Sequence, residues 1–363
     1  MSVGPASQAE PVRRPGAAVR VVVVDDSAVV RKLLSDGLKS EPGIEVVGTA
    51  ADPYAARDVI VRLEPDVITL DIEMPRMDGI SFLRKLMQHR PMPVIIISSL
   101  TQRGSATAIE ALRAGAIDVI PKPGGPYSVG QITEILREKL LGIRDSAPKA
   151  GRVHDTGPVS TVTFDHVRPG SGLIAIGAST GGPQAIEALL TRLPGACPPI
   201  VIAQHMPAHF TKTYADRLDK VCAMHVVEAT HGQVVESGTA YVAPGDRHMT
   251  IERDGVRLLV HLSDGPPVHH QRPAVDVLFH SIAKLRAVKI VALLLTGMGQ
   301  DGADGLLDLR GHGAETIAEH ENSCVVFGMP REAIARGAAT HVATLLRMPG
   351  LIADCFTKLQ TKH

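Results

Sequence analysis

The chain of 363 residues contains 38 Lys plus Arg and 38 Asp plus Glu, so its formal net charge at pH 7 is zero. This balance excludes a general electrostatic attraction to nucleic acid or to an anionic membrane. At ~150 residues per domain the length suggests two or three domains, and we expect two. Four separated cysteines, no tryptophan and 3% aromatic residues argue against a zinc ribbon, a disulfide framework and a platform that stacks single-stranded nucleic acid.

The first 18 residues are rich in Pro, Ala and Arg and contain no apolar stretch typical of a signal peptide. They predict a disordered tail. No later apolar run reaches the ~20 residues of a membrane span. Together with the cysteine usage, this predicts a soluble cytoplasmic protein without membrane insertion.

Short aliphatic runs alternate with amphipathic stretches between residues 19 and 141. Five runs rich in β-branched residues are typical of strands buried on both faces: VRVVVVDD, IEVVGTA, DVITLDI, PVIIISS and AIDVIPKP. The stretches between them have helical periodicity. The pattern predicts five β-α units that form a doubly wound, flavodoxin-like domain with five parallel strands.

Residues 142–170 lack periodicity and are rich in Pro, Gly, Ser and Thr, which indicates an interdomain linker. From residue 171 to residue 363 the alternation restarts, which predicts a second doubly wound α/β domain with a Rossmann-like parallel sheet. Its predicted buried strands are GLIAIGAS, PIVIAQH, KIVALLLTG, ETIAEH and SCVVFG. Helices are expected over residues 185–193 and near residues 210–220. The shorter runs predict a partly antiparallel hairpin region: HVVEAT, TAYVAP, MTIERDG and RLLVHLS.

Polar residues end three predicted strands of the first domain. Asp25 and Asp26 follow the first strand, Asp71 the third and Lys122 the fifth. Because parallel strands bring their carboxyl ends to one edge, three carboxylates and a lysine there predict a Mg²⁺ site that accepts a phosphoryl group. Asp71 is the candidate nucleophile, and Ser98 could bond to the new phosphate. Each residue alone could cap a helix or lie in a turn, but their order favours the functional interpretation.

The segments DDSAVVRKLL, LDIEMPRMDG, IIISSLT and AIDVIPKP resemble the receiver domain of two-component response regulators over about residues 19–140. The resemblance implies these roles: phosphorylation of Asp71, Mg²⁺ binding by Asp25, Asp26 and Asp71, and phosphate sensing by Ser98 and Lys122. Ser99 is the alternative to Ser98 for the switch hydroxyl.

The stretch Gly177-Ala-Ser-Thr-Gly181 fits G-x-S-x-G at a predicted strand-to-helix junction. A nucleophilic serine here, Ser179, needs an imidazole base, a carboxylate and N–H donors for the oxyanion. The N–H groups at the start of the helix, beginning with Thr180, are candidate donors. A dinucleotide-binding loop would instead have glycine at position 179 and an acidic residue at the end of the next strand. That strand ends in Gln204-His205, which favours catalysis.

His205 is the candidate base because the first two strands of this domain should end side by side. Taken alone, it fits a structural histidine before Pro207 equally well. Asp301 and Asp304 both follow the strand KIVALLLTG. Asp301 is the favoured carboxylate because it lies nearer the strand end, whereas Asp304 is expected to cap the next helix, and Asp276 is a weaker rival. The order Ser, His, Asp differs from that of α/β-hydrolases, so the lipase fold is not implied.

Six separated segments of residues 172–345 resemble the catalytic domain of the bacterial chemotaxis protein-glutamate methylesterase family: IGASTGGP, VIAQHMP, YVAPGDRHM, RPAVDVLF, LLLTGMGQDG and SCVVFGMP. The resemblance implies a serine hydrolase that demethylates glutamate γ-methyl esters on chemoreceptors, releases methanol and deamidates glutamines. It assigns the triad to Ser179, His205 and Asp301, and a second oxyanion N–H to Met298.

The same resemblance implies Mg²⁺ for receiver phosphorylation and no cofactor for ester hydrolysis. Its partners would be methyl-accepting chemoreceptors and a chemotaxis histidine kinase as phosphodonor. We expect the receiver to cover the esterase site until phosphorylation of Asp71 changes their interface. Two other classes of protein are alternatives: a DNA-binding regulator, which needs a strongly basic recognition stretch that the sequence lacks after the linker, and a phosphorylation-dependent adaptor that binds receptors without catalysis. A third alternative keeps the hydrolase but gives it receptors of another pathway.

Overall fold

The computed structural model describes residues 17–74, 78–99, 101–123, 128–145, 162–165, 167–168 and 170–361. The expected tail up to residue 16 and the expected linker residues 146–161 lie outside this part of the chain. Within it, the chain forms two parallel α/β sheets and one short antiparallel ribbon.

The first sheet has five parallel strands in the order β2-β1-β3-β4-β5, as the sequence predicts. The strands are β1 (Val19–Val24), β2 (Ile44–Ala50), β3 (Val67–Asp71), β4 (Val94–Ser98) and β5 (Asp118–Pro121). The helices are α1 (Ala28–Lys39), α2 (Pro53–Leu63), α3 (Gly79–His89), α4 (Gln102–Arg113) and α5 (Val129–Asp145). α5 continues beyond Leu141, the residue at which the sequence suggested the end of the domain.

Four helices of this domain begin at residues whose side chains accept an N–H of the first turn. These residues are Ser27, Asp52, Asp78 and Thr101. Each of these side chains supplies an acceptor for a backbone N–H that has no partner within the first turn of the helix. The helices therefore start close to the strand ends, which keeps the loops above the carboxyl edge of the sheet short.

The second sheet has seven parallel strands in the order β14-β13-β12-β6-β7-β9-β8. They are β6 (Gly172–Ala178), β7 (Ile200–Gln204), β8 (His225–Glu228), β9 (Thr239–Val242), β12 (Lys289–Leu294), β13 (Glu315–Glu319) and β14 (His341–Ala343). The ribbon pairs β10 (His248–Asp254) with β11 (Arg257–Ser263). The helices are α6 (Gly182–Leu190), α7 (Phe210–Asp219), α8 (Val275–Ala283), α9 (Ala303–Gly311), α10 (Met329–Ala335) and α11 (Met348–Thr361).

The expected partly antiparallel hairpin region is confirmed, because β10 and β11 form an antiparallel hairpin. β8 and β9 are parallel to each other and extend the large sheet. One expectation for this region was wrong. SCVVFG forms no strand within the described chain, and only a bridge between Gly297 and Phe327 pairs it with the turn after β12.

β6 lies between β7 and β12, and the strand order reverses at this point. The chain runs outward from β6 through β7 on one side and through β12 and β13 on the other. Loops at such a reversal diverge and leave a crevice at the carboxyl ends of the strands. The second sheet is therefore expected to hold its site where β6 ends.

The two domains pack directly on each other. α4 contacts α6 and α7, and one apolar cluster contains Ile109 and Leu112 from α4 together with Tyr214 from α7. A second cluster joins Ile132 of α5 to Val326 of the second domain. Among the described helices, none is both long enough and apolar enough to cross a membrane.

Candidate active site

Ser179 directly follows β6, and the turn around it is held on both sides. Its N–H donates to the Thr296 carbonyl at 3.0 Å. Gly181, the residue before α6, has φ +79°, and a Cβ at this position would lie 2.5 Å from the Cβ of Val325. Both the backbone conformation and the close approach require glycine. The second glycine of G-x-S-x-G is therefore a steric requirement of this turn.

Gln204 holds the same turn from the neighbouring strand. It is the last residue of β7 and is fully buried, and its Nε2 donates to the carbonyls of Ser179 (2.9 Å) and His205 (3.1 Å). A Cβ at Gly182 would lie 2.0 Å from Gln204 Oε1. Sequence reasoning did not assign Gln204 a role, although a buried amide side chain beside the candidate base was a usable signal.

His205 and Asp301 form a buried pair. The His205 Nε2 lies 2.7 Å from Asp301 Oδ2, and both side chains are almost fully enclosed. This leaves Nδ1 as the imidazole nitrogen available to a serine proton. Among the described residues, the Ser179 hydroxyl has no hydrogen bond to His205 in this state. Such contacts often tighten only when substrate binds.

Asp301 lies at the amino terminus of α8. Its carboxylate accepts the N–H groups of Val275 (2.7 Å) and Asp276 (2.9 Å) in addition to the His205 hydrogen bond. Burial opposes ionisation of Asp301 most strongly, but these hydrogen bonds and the charge of His205 outweigh it and lower the pKa of the carboxyl group. Asp301 is therefore held as an anion that orients the imidazole.

The two rival aspartates have other contacts. Asp276 accepts the N–H of Gly305 at 2.7 Å and lies 3.0 Å from His269 Nε2. Burial and the neighbouring Asp301 charge raise the pKa of Asp276. Asp304 does not cap α9: the first residue before that helix is Gly302, and Asp304 instead forms an ion pair with Arg336. The expected cap was wrong because the glycine-rich turn enters the helix at Gly302, two residues before Asp304, which therefore lies inside the first turn of α9.

The predicted oxyanion donors, Thr180 and Met298, lie on two turns next to Ser179. Neither the Thr180 N–H nor the Met298 N–H donates a hydrogen bond to any residue that the structure describes. Thr180 is fully buried, where an unpaired N–H is rare. A Cβ at Gly297 would lie 2.7 Å from the Cβ of Ser179, so the turn that carries Met298 lies directly against the nucleophile. Both amides are thus available to a developing negative charge.

α5 of the first domain lies over the Ser179 crevice. A cavity of about 390 Å³ is lined by Ser179, His205 and Asp301 on one side and by α5 residues, including Glu138 and Lys139, on the other. α5 also approaches the oxyanion turn, since a Cβ at Gly142 would lie 2.6 Å from the sulfur of Met298. In this state α5 forms one wall of the cavity that contains Ser179.

A polar contact fixes this arrangement beside the nucleophile. The Thr180 hydroxyl donates to Asp118 Oδ2 at 2.6 Å, and Lys139 Nζ lies 2.5 Å from the same oxygen. The Gly181 N–H donates to the Ile117 carbonyl at 3.0 Å. Asp118 and Ile117 belong to the first domain, so the domain interface contacts the two residues that follow Ser179. Sequence reasoning did not identify Asp118.

The acidic residues of the first domain meet at the carboxyl edge of its sheet. Lys122 Nζ lies 2.7 Å from Asp71 and 3.5 Å from Asp25. Burial and the Asp71 charge raise the pKa of Asp25 to about 6, and burial raises that of Asp71 against the opposing effect of Lys122. The ligand oxygens of Asp25, Asp26 and Asp71 lie within 4.8 Å of one another, and the buried Asp25 Oδ2 accepts no hydrogen bond from the described part of the chain. This oxygen set fits Mg²⁺.

The two serines at the end of β4 point to different partners. Ser98 is buried, and its hydroxyl donates to the Gly104 carbonyl at 3.1 Å. The Ser99 hydroxyl donates to Glu73 at 3.1 Å. Neither hydroxyl bonds to Asp71 within the described residues, so the choice between them for phosphate sensing stays a prediction.

Another group of side chains that could bind a metal ion lies at the start of β13, the end opposite to the carboxyl edge of the sheet. Glu315, His341 and Cys355 bring ligand atoms within 4.8 Å of one another. The Lys358 ammonium already lies 2.9 Å from Glu315 Oε1 and 3.0 Å from Oε2. The buried carboxylate is therefore balanced by a side-chain cation.

The fold and the site define a protein that joins a receiver-type domain to a hydrolase-type α/β domain. Comparison with known families agrees: a model described as response regulator receiver domain matches residues 21–134, and one described as CheB methylesterase matches residues 174–352. The chain belongs to the protein-glutamate methylesterase family.

Individual relatives span nearly the whole chain. Protein-glutamate methylesterase/protein-glutamine glutaminase 2 of Syntrophus aciditrophicus is 50% identical over 339 residues, which cover 90% of this chain and 96% of the relative. Protein-glutamate methylesterase/protein-glutamine glutaminase 4 of Anaeromyxobacter dehalogenans is 49% identical over 355 residues, which cover 96% of this chain and 96% of the relative. The crystal structure of the Thermotoga maritima CheB methylesterase catalytic domain is 38% identical, covers 50% of this chain and 97% of that one, and has a TM-score of 0.49.

Proposed function

We propose that this protein hydrolyses glutamate γ-methyl esters on chemoreceptors in chemotaxis adaptation, releases methanol and deamidates receptor glutamines. The observation that carries the proposal is the buried His205–Asp301 hydrogen bond of 2.7 Å beside Ser179 at the reversal of strand order. The names of the relatives, which give both activities, support the choice of substrate.

The reaction begins with attack of Ser179 Oγ on the ester carbonyl carbon while His205 Nδ1 takes the serine proton. The N–H groups of Thr180 and Met298 stabilise the carbonyl oxygen as it becomes negative. The tetrahedral intermediate then expels the methoxy group, which takes the proton from His205 and leaves as methanol. Asp301 stays ionised and stabilises the imidazolium between these two steps.

The acyl-enzyme is then hydrolysed by the same groups. His205 takes a proton from water, and the hydroxyl oxygen attacks the acyl carbon. Collapse of the second intermediate breaks the bond to Ser179 Oγ, which recovers its proton from His205, and the glutamate carboxyl is released. With a glutamine substrate, ammonia is the first leaving group in place of methanol.

Control comes from the receiver domain. Asp71 would accept a phosphoryl group from a chemotaxis histidine kinase, with Asp25, Asp26 and Asp71 holding Mg²⁺ and Lys122 beside the new phosphate. Mg²⁺ would neutralise charge on the transferring group. Phosphorylation would weaken the interface in which α5 covers Ser179, and so shift the population towards an open state. Ser98 or Ser99 would provide the switch hydroxyl.

The proposal includes the setting and the domain limits. We place the protein in the cytoplasm, where its kinase and receptor partners are reached without nucleic acid binding or membrane insertion. We assign a tail to residues 1–18, the receiver to residues 19–141, a linker to residues 142–170, of which residues 142–145 complete α5, and the hydrolase to residues 171–363.

The experiment that tests this function is methanol release from membranes that contain methylated chemoreceptors, with and without a small-molecule phosphodonor. We expect release that the phosphodonor accelerates, and none from unmethylated membranes. Absence of methanol under both conditions would contradict the proposal.

A further inference from the structure

Glu319 is a fully buried acidic residue that the mechanism above does not use. It is the last residue of β13, and its Oε2 accepts the N–H of Thr296 at 2.7 Å. Its other oxygen, Oε1, is buried, and none of the residues that the structure describes forms a hydrogen bond with it. A buried polar atom without a hydrogen-bond partner lowers the stability of the folded protein, and such atoms are often found at functional positions.

Thr296 connects Glu319 to the nucleophile turn. Its carbonyl accepts the Ser179 N–H at 3.0 Å, and its hydroxyl donates to the Thr180 carbonyl at 2.9 Å. The same hydroxyl oxygen accepts the N–H of Val326 at 2.9 Å. Thr296 also precedes Gly297, which lies against Ser179. The hydrogen bond to Glu319 therefore fixes Thr296, the residue to which the backbone of both Ser179 and Thr180 is hydrogen-bonded.

The surroundings of Glu319 favour its neutral form. Burial raises the pKa of Glu319 to about 7, and the Thr296 N–H and the side chains of Ser323 and Cys324 offset this only in part. Cys324 has a pKa raised by the same burial and by the charges of Glu319 and Glu321, so these neighbours supply no positive charge. Within the described residues, no cation forms an ion pair with Glu319.

Glu315, at the start of the same strand, shows the contrasting arrangement. It is also buried, but its carboxylate pairs with Lys358 and with His341 at 3.1 Å. A buried carboxylate next to a cation keeps its charge at modest cost. β13 thus carries one compensated and one uncompensated glutamate, and the uncompensated one lies beside the nucleophile turn.

We propose that Glu319 is a positioning residue for the methylesterase reaction, and that it holds the Thr296 backbone as a neutral carboxylic acid. This inference rests on the proposed function. The neutral carboxyl group accepts the Thr296 N–H through its carbonyl oxygen, as a glutamine amide would, and it places no buried negative charge near the developing oxyanion. Ionisation of Glu319 would add such a charge.

The test compares Glu319→Gln with Glu319→Leu in the full-length protein, activated by a phosphodonor and assayed with methylated receptor membranes. Gln keeps an acceptor for the Thr296 N–H, whereas Leu leaves that N–H buried and unpaired. We expect Glu319→Gln to keep the wild-type kcat at pH 6.5, and Glu319→Leu to lower kcat about tenfold with KM unchanged. Above pH 7 the wild-type kcat should fall relative to that of Glu319→Gln.

Glu315→Gln is the matched control, because it removes a buried carboxyl from the same strand away from Ser179. It should leave kcat and its pH profile unchanged. Equal kcat values for Glu319→Leu and Glu319→Gln would overturn the inference, and so would a Glu319→Gln enzyme as slow as Glu319→Leu. If the Leu variant does not fold, the pH profiles of wild type and Glu319→Gln decide alone, and identical profiles overturn it. A wild-type protein without activity would instead contradict the proposed function.

Discussion

Thr180 and Asp118 join the two domains beside the nucleophile, with the Thr180 hydroxyl 2.6 Å from the Asp118 carboxylate. Thr180 is also one of the two predicted oxyanion donors, together with Met298. Asp118 begins β5, the strand that leads into Lys122 and so to the phosphorylation pocket. A movement of β5 on phosphorylation would therefore act on the turn after Ser179 through this hydrogen bond and the neighbouring one from the Gly181 N–H to the Ile117 carbonyl, as well as through α5.

Loss of the Asp118 carboxylate should activate the protein without phosphorylation. Asp118→Ala removes the acceptor shared by Thr180 and Lys139. Since a hydrogen bond to a charged group contributes about 1.5–3 kcal/mol, we expect basal methanol release to rise roughly tenfold and phosphodonor stimulation to shrink. Asp58→Ala, an exposed change on α2, is the control and should leave both values unchanged. Basal release equal to that of wild type would show that this contact does not hold the closed state.

Asp301 and Asp276 should differ sharply in their effect on catalysis, although they lie side by side. Asp301→Asn removes the anion that orients His205, and we expect kcat to fall at least about a thousandfold. Asp276 does not contact His205, so Asp276→Asn should lower kcat far less. Methanol release at saturating substrate measures both, with thermal unfolding as the check on folding. An equal loss in the two variants would remove Asp301 from its assigned role.

The pKa of Glu319 predicts how stability depends on pH. Below its ordinary value of 4.5 the residue is protonated in both states and has no effect. Between 4.5 and about 7 the unfolded chain ionises while the folded protein stays protonated, so the free energy of unfolding decreases as pH rises. Above pH 7 the free energy of unfolding is lower by about 3 kcal/mol in total, since a difference of one unit between the folded and unfolded pKa values corresponds to about 1.36 kcal/mol.

Glu319→Gln should therefore unfold at higher urea concentration than wild type at pH 8 and at nearly the same concentration at pH 4. Glu315→Gln should instead unfold at lower urea concentration than wild type at pH 8, because it leaves the Lys358 ammonium without its buried partner. Urea unfolding of the three proteins at pH 4, 6 and 8 makes the comparison. A wild-type protein as stable as Glu319→Gln at pH 8 would mean that the buried carboxyl is compensated after all.

Mg²⁺ binding should weaken as pH falls through about 6, where Asp25 takes up a proton. Calorimetric titration of Mg²⁺ at pH 5 and pH 7.5 measures this change. Asp25→Asn should bind weakly at both values and lose most of the pH dependence. Asp36→Asn, an exposed change on α1, should behave as wild type. Affinity that does not change with pH would exclude Asp25 as a ligand.

Much of the architecture could be predicted because it depends on local pattern. Runs such as VITLD and GLIAIGA are long enough and sufficiently aliphatic to predict buried parallel strands, and the polar residues at their ends placed Asp71 and Ser179 at the carboxyl edges. The resemblance to the methylesterase family is confirmed by relatives about 50% identical over nearly the whole chain.

The remaining features depend on contacts between distant segments. Gln204 acts on Ser179 only because β6 and β7 pair in one register, and Asp118 meets Thr180 only because the domains pack through α5. The role of Glu319 depends on which buried acids lack a cation, which no local pattern encodes. The assignments of the catalytic and phosphorylation residues remain predictions for the experiments above.

The most direct test of a serine nucleophile behind a phosphorylation-dependent cover is labelling of the full-length protein with a fluorophosphonate, followed by peptide mass spectrometry. We predict an adduct on Ser179 that forms slowly in the unphosphorylated protein, faster with a phosphodonor, and no faster with a phosphodonor in Asp71→Asn. An adduct on another serine, or an equal labelling rate with and without the phosphodonor in the wild type, would contradict the account.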